Sequence, residues 1–502
     1  MKHEIHFDKW SSKDYKKLYN SIRENLNMKN LQFYMPFYSL YFYIHNKPNA
    51  NKKIDMKRNY YLREVLEITK SRYYNSNMFL KGNIFDVSKN IIKESEIFCK
   101  SIPILDPMHM INDNYNLVNR NNYHLPSNYN YNTFYKINNI NNTAYIDVLC
   151  SFLFSNITYY KKNPSFPLYY GSVNGMGNYN YDLTEDYELI KNDKCFNENI
   201  DKSFKLEIYV SDNESDTDNE SDTDNEKDKD NESDTDNESH TDNESDTDNE
   251  SDTDSVSEKY NLDNFNDYVA KLSKIPIQLL FIEKLEGTLE DLIDQNIKEE
   301  VLLSCIFQIS FALVYLQKHY NFTHNDLHIN NVMFNRTENK YLYYKYNNIY
   351  FKVPTYGYIF KIIDFGRAIF KYNNKIFMND VFSENGEAGG QYTYPKQVQF
   401  TINKNKEIIK PNYHFDLCRL SITILQEINK NDFSIEMINF LEKMCTNNCN
   451  ISFCEMSDDF CLYESIARDA CNCLPREIIM NDIFKSYKIK KKLFPRKSYY
   501  TI

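Results

Sequence analysis

The apolar residues of this chain fall into short runs between Asn- and Lys-rich stretches, and the spacing inside each run predicts its element. Between Asn296 and Tyr320, Leu302, Ile306, Ile309, Leu313 and Leu316 recur four and three apart, which puts them on one face of a helix. Ala144 to Ser155 (AYIDVLCSFLFS) reads as a second helix and Tyr60 to Lys70 as a third. Glu96 to Pro103 (EIFCKSIP), Phe204 to Val210 (FKLEIYV), Ile275 to Ile282 (IPIQLLFI) and Val332 to Phe334 read as strands. A Tyr-rich stretch from Tyr341 to Phe360 follows, then a strand-like KIIDFGRAIF from Lys361. From residue 296 onward the predicted order is helix, loop, strand, strand, loop.

One stretch breaks the pattern. From Ser211 to Glu258 the chain repeats NESDTD with a period of six, and Val256 is its only aliphatic residue. Such a tract cannot bury enough apolar surface to offset the entropy of ordering, and it is predicted to be disordered. Because strand-like runs flank it on both sides, it reads as an insertion in a surface loop, which costs little in closure entropy.

Charge changes the picture once this tract is set apart. The chain carries a formal −12, but Ser211 to Glu258 holds 22 Asp and Glu against 2 Lys, a net of −20. The remainder then carries 49 acidic and 57 basic residues, a net of +8, which suits a phosphate-bearing ligand without identifying one. Eleven Cys and a start (MKHEIHFDKW) without an apolar core predict a reducing compartment and no signal peptide. The most apolar run, Leu31 to Ile44, is too short to span a bilayer and contains Pro36 and Ser39. A soluble intracellular protein with no membrane partner is expected.

The candidate chemistry lies in Thr323 to Asn335, THNDLHINNVMFN. Asn and Asp ordinarily mark turns and caps, so spacing has to carry any further claim. Asp326 is followed five residues later by Asn331, and Asp-Phe-Gly stands at Asp364 to Gly366. This resembles the protein-kinase catalytic loop H-x-D-x-x-x-x-N followed by D-F-G. Phosphoryl transfer requires positioned charge more than reacting groups. The resemblance implies that Asp326 accepts the proton of the attacking hydroxyl, while Asp364 and Asn331 hold magnesium.

The resemblance extends in both directions. Leu280 to Ile293 (LFIEKLEGTLEDLI) is similar to the strand, hinge and helix of a kinase, with Ile282 as gatekeeper and the backbone of Glu283 and Leu285 toward the adenine edge. Phe415 to Leu420 (FDLCRL) resembles the start of the large central helix, where Asp416 would tie down the catalytic loop. Lys100 would contact the phosphates and Asp147 would pair with it. Gly82 lies where a glycine-rich loop is expected, although G-x-G-x-x-G is absent. Together with FPLYYGS and GEAGGQY, these stretches resemble the divergent serine/threonine protein kinases of giant DNA viruses, over roughly residues 77 to 487.

The expected fold is therefore α+β: a two-lobed protein-kinase-like fold with a disordered acidic insertion in the N-lobe. Residues 1–75 form an extension of unassigned role, 76–282 the N-lobe, 283–490 the C-lobe and 491–502 a basic tail. ATP and magnesium are the expected cofactors and a protein hydroxyl the acceptor. Nucleic acid is not an expected partner, and the acidic tract is a candidate for intramolecular docking. Two departures keep other readings open. His328 stands where serine/threonine kinases carry Lys, as in aminoglycoside and choline phosphotransferases, and the missing glycines suit a pseudokinase scaffold. Asn325 stands where many kinases have Arg, and no A-P-E follows D-F-G. The six cysteines from Cys445 to Cys473 have irregular spacing and contain no C-x-x-C pair, which suits free thiols better than zinc.

Overall fold

In the computed structural model the described residues are 5–9, 11–33, 54–71, 76–115, 128–210, 266–383, 386–392, 410–456, 459–495 and 498–502. The acidic repeat, most of the 31–44 run and the end of the 386–395 stretch lie outside them. Helices and mostly antiparallel strands are interspersed along the chain.

The largest sheet has seven strands: β1 (Lys29–Phe33), β2 (Tyr60–Ser71), β3 (Met78–Asp86), β4 (Ile91–Pro103), β5 (Tyr169–Asp182), β6 (Lys205–Val210) and β7 (Asn266–Glu283). Their order is β1-β5-β7-β4-β3-β2, with β6 also on β7. Val210 and Asn266 are paired directly across β6 and β7, so residues 211–265 join two adjacent strand ends. That is where an insertion disturbs a sheet least.

One expectation about the N-terminal region is overturned. Tyr60–Ser71 is a strand, not a helix, and it pairs along β3. The reason lies in its irregular register, which shifts between Leu62 and Glu64, Val65 and Glu67, and Ile68 and Lys70. Each bulge consumes an extra residue. The buried Tyr61, Leu62 and Val65 therefore recur three and four apart, and a strand acquires the spacing of a helix. Before residue 75, Lys29–Phe33 and Tyr60–Ser71 belong to the same sheet as β3, while Phe7–Lys9 and Ile54–Met56 pair in a small sheet of their own.

Helix α1 (Ser12–Asn25) packs beside β2, and α2 (Thr143–Tyr159) lies against β5 and β7. A long helix, α3 (Glu299–Tyr320), is buried on nearly all sides. By length and composition it could cross a membrane, but 83% of its apolar window is enclosed by the fold. It stops at Asn321, whose φ of 48° supplies the left-handed cap. Helices α4 (Phe415–Glu427) and α5 (Asp459–Asp469) complete the region around it. One apolar core joins α2, α3 and α4, and a second fills the space between α1 and the sheet.

The described part of the tail is paired into a sheet. Lys488–Ile489 pairs with Ile349–Pro354, and Tyr500–Thr501 pairs in parallel with the Tyr341–Tyr346 strand. These pairings stitch both strands to the Tyr-rich hairpin. All eleven cysteines are free thiols. Among the described residues no three His, Cys, Asp or Glu side chains converge as metal ligands.

Candidate active site

Lys100 lies on β4 opposite Leu280 of β7. Its ammonium is 2.8 Å from Asp147 Oδ2 on α2 and 2.8 Å from Asp364 Oδ1 in the loop after Tyr358–Ile362. Three residues far apart in sequence thus meet at one cation. Asp147 is buried, and its second oxygen accepts the Phe365 N–H at 3.1 Å. The same carboxylate therefore holds both the lysine and the D-F-G backbone.

The electrostatics follow from this geometry. Burial pushes the Asp147 carboxyl up, against the pull of Lys100. Burial acts the same way on Asp364, but there the ammonium outweighs it and holds the group down to about 2. Asp364 keeps 41% of its side-chain surface open and Asp147 only 2%, so Asp364 is the more open of the two carboxylates beside the cavity. Burial lowers the Lys100 ammonium's proton affinity, and the two carboxylates more than reverse this. Asp364 also adopts φ of 59°, a left-handed conformation costly for Asp. Its neighbours fix it: Asn379 donates to the Gly366 carbonyl, and Phe365 is wedged edge-on against Phe154 at 4.9 Å.

A cavity of about 420 Å³ opens beside this cluster. Phe79, Phe98, Leu280, Ile282, Leu285 and Met333 line its apolar part; Asn77, Lys100 and Asp364 line its polar part. The volume and the apolar-with-few-polar lining are those of a small-molecule site. Of the nine residues expected at the site, Lys100, Asp147, Ile282, Glu283, Leu285 and Asp364 line this cavity. Glu283 brings its side chain as well as its backbone: the carboxylate pairs with Lys361 at 2.9 Å and accepts from Asn335 and Leu168 N. It buttresses the cavity edge from behind.

Gly82 does not take part. It sits inside β3 between Val65 and Ser95. A Cβ there would stand 2.8 Å from the Glu64 carbonyl and 2.7 Å from Ile97 Cδ1. Packing against the bulged β2, not phosphate binding, requires a glycine at this position. Residues 72–77, between β2 and β3, include no glycine, and Asn77 lines the cavity.

Asp326 and Asn331 stand just outside the cavity lining, on the loop after α3. That loop is held from below by Asp416 of α4, which is fully buried and accepts the His324 and Asn325 N–H groups at 3.0 Å. His324 supports D-F-G: its ring contacts Phe365, and Nε2 is 2.8 Å from the Ile363 carbonyl. Asn331 Nδ2 donates to the Asp326 carbonyl at 2.8 Å and meets His328 Nε2 at 3.0 Å, which leaves the amide oxygen as that side chain's acceptor. Asn325, in the position of the usual Arg, is buried. It donates to the Arg367 carbonyl at 2.9 Å and accepts from Tyr392. Asn325 thus ties to the segment after D-F-G through neutral hydrogen bonds.

Sequence reasoning missed several cavity residues. Phe98 lies two positions from Lys100 and Leu280 two from Ile282, so period-two alternation could have found both. It also missed Tyr463 of α5, whose hydroxyl donates to Asp326 Oδ1 at 2.6 Å across 137 residues. No local signal marks that residue.

No family model matches the chain. A protein of Acanthamoeba polyphaga mimivirus named "putative serine/threonine-protein kinase" is 27% identical over 205 residues, which cover 37% of this chain and 47% of that protein. An uncharacterised protein of Invertebrate iridescent virus 6 is 34% identical over 102 residues, 17% of each chain. The matched stretches thus span about half the length of the first relative and under a fifth of the second.

Proposed function

We propose that this protein transfers the γ-phosphoryl group of ATP, with magnesium, to Ser or Thr hydroxyls of a protein, on a two-lobed protein-kinase-like fold. In this reading the sheet with α2 is one lobe and the helical region from Glu283 onward the other. The observation that carries it is Lys100, 2.8 Å from both Asp147 and Asp364, at the polar end of a cavity with an aromatic and aliphatic wall. An adenine ring suits that wall. Triphosphate oxygens suit a lysine already held by carboxylates.

The donor set fits the metal. Asp364 offers a carboxylate held ionised and open to the cavity, and Asn331 offers an amide oxygen. Bound there, magnesium would supply charge neutralisation between the phosphates. This chain's own residues do the rest. Lys100 orients phosphate oxygens, Asp147 fixes Lys100, and Asp326 takes the proton of the attacking hydroxyl. The likeness to a viral protein named as a serine/threonine kinase supports the acceptor class.

A radiolabelled-ATP assay of the purified chain, with generic protein substrates and a panel of small alcohols, tests the reading. Label on proteins in wild type and not in Asp326→Asn is the expected result. Label on an alcohol alone would move the acceptor to a small molecule, and label on neither would overturn the enzyme.

A further inference from the structure

The hydroxyl nearest the proposed proton acceptor belongs to the chain itself. Tyr463 Oη donates to Asp326 Oδ1 at 2.6 Å and accepts from Arg419 Nε at 3.2 Å. The ring packs against Phe415 at 5.8 Å, with the Arg419 guanidinium 5.1 Å and the Arg367 guanidinium 5.8 Å from its centre. The phenol spans the gap from α5 to the loop after α3.

We propose that Tyr463 is an intramolecular phosphoryl acceptor, modified by the site that its own helix covers. This rests on the kinase reading above. A general base defines the acceptor position by the hydroxyl whose proton it takes, and Tyr463 occupies that position. In the step, the phenol oxygen forms a bond to the γ-phosphorus of ATP, the bond from that phosphorus to the β–γ bridging oxygen breaks, and ADP leaves. The phenol proton passes to Asp326 and then to water. The product has a partner waiting: phosphotyrosine carries about two negative charges, and Arg419 and Arg367 already flank the ring. The same charge repels Asp326. Transfer therefore breaks the 2.6 Å contact and frees the carboxylate for an outside hydroxyl, so that the first turnover opens the site for those that follow.

The full chain is incubated with magnesium and ATP, and the phosphate is located by mass spectrometry. The expected result is phosphate on Tyr463 at a first-order rate independent of protein concentration, lost in Asp326→Asn. Tyr463→Phe keeps the ring packing. It is expected to take up no phosphate on the corresponding peptide and to label outside substrates without the wild type's initial lag. A second readout needs no nucleotide. The phenol's rate of O-acetylation by N-acetylimidazole should rise several-fold in Asp326→Asn. Labelling of outside substrates with Tyr463 unmodified would overturn this proposal and leave the kinase reading standing. No labelling of any hydroxyl would overturn both. Phosphate on Tyr463 that persists in Asp326→Asn would overturn the route through Asp326.

Discussion

The two carboxylates of the site come from neighbouring loops, yet they stand in opposite surroundings. Asp364 faces a cavity and is held by an ammonium from the sheet 2.8 Å away. Asp326 stands outside the cavity lining, under a tyrosine from the helical region. One is open and paired with a cation, as a metal-bearing group should be. The other is covered by a neutral hydroxyl, as a proton acceptor with its substrate in place would be. The difference supports the proposed roles more than the spacing of the two residues does, because spacing treats both as loop aspartates.

Substituting each carboxylate separately gives the widest contrast. Asp326→Asn should lower phosphoryl transfer by about 10²- to 10⁴-fold, the usual contribution of a positioned base, and leave the nucleotide Kd almost unchanged. Asp364→Asn should weaken magnesium-dependent ATP binding about tenfold or more, roughly 1.4 kcal/mol, as read by calorimetry. If the two variants lose affinity equally, the division of labour between the loops is wrong.

The cation side can be broken by Lys100→Met. It leaves Asp147 buried beside Asp364 with no positive partner, which should cost about 2–3 kcal/mol of folding stability as well as turnover. The pH dependence has a definite sign. Burial already raises the Asp147 carboxyl above its ordinary 3.8, and removing the ammonium raises it further. A carboxyl raised in the folded state gives stability that is present below its ordinary value and lost as pH climbs through the raised one. The variant's deficit against wild type should therefore widen from pH 5 to 8 in denaturant unfolding. A deficit that narrows would mean that Asp147 is not the group left uncompensated.

How much of this was legible in the chain depended on where the signal lay. The loop after α3 was readable because Asp326 and Asn331 sit in one short stretch beside a strongly periodic helix, and Asp364 because it opens an Asp-Phe-Gly. Lys100 and Asp147 were readable only by placing a lone lysine in a strand and a lone aspartate in an apolar helix. The β2–β3 hairpin was not readable, because bulges at residues 62–64, 65–67 and 68–70 erased the period-two pattern. Tyr463 was not readable either, since an exposed-looking helix 137 residues away carries no mark of the carboxylate it meets.

The hairpin offers a smaller test, of packing against phosphate binding. Gly82→Ala puts a methyl group 2.8 Å from the Glu64 carbonyl, a backbone atom that cannot swing aside. The expected loss is about 1–3 kcal/mol of stability, measured by denaturant unfolding, with an unchanged nucleotide Kd. A large rise in Kd at unchanged stability would return Gly82 to a phosphate-binding role.

The finest effect is on the covered side, in the titration of the Tyr463 phenol. Its ordinary value of 10.0 is pushed up to about 12, first by burial and then by the Asp326 carboxylate, against the opposing pull of Arg419. Asp326→Asn removes the charge and leaves the burial. The phenol should then titrate lower than in wild type but still above its ordinary value. Ultraviolet difference absorbance against the matching Tyr463→Phe variants isolates this one phenol from the chain's other tyrosines. The stability consequence has the same sign. A phenol raised in the folded state gives stability that is present below its ordinary value and lost as pH rises through the raised one. The window between the two values should therefore be narrower in Asp326→Asn, and the variant should lose this contribution at a lower pH. Lys100→Met, on the far side of the D-F-G loop, should leave the titration where it is. If Lys100→Met shifts it as far as Asp326→Asn does, the two carboxylates share one field, and the contrast between an open and a covered group does not hold.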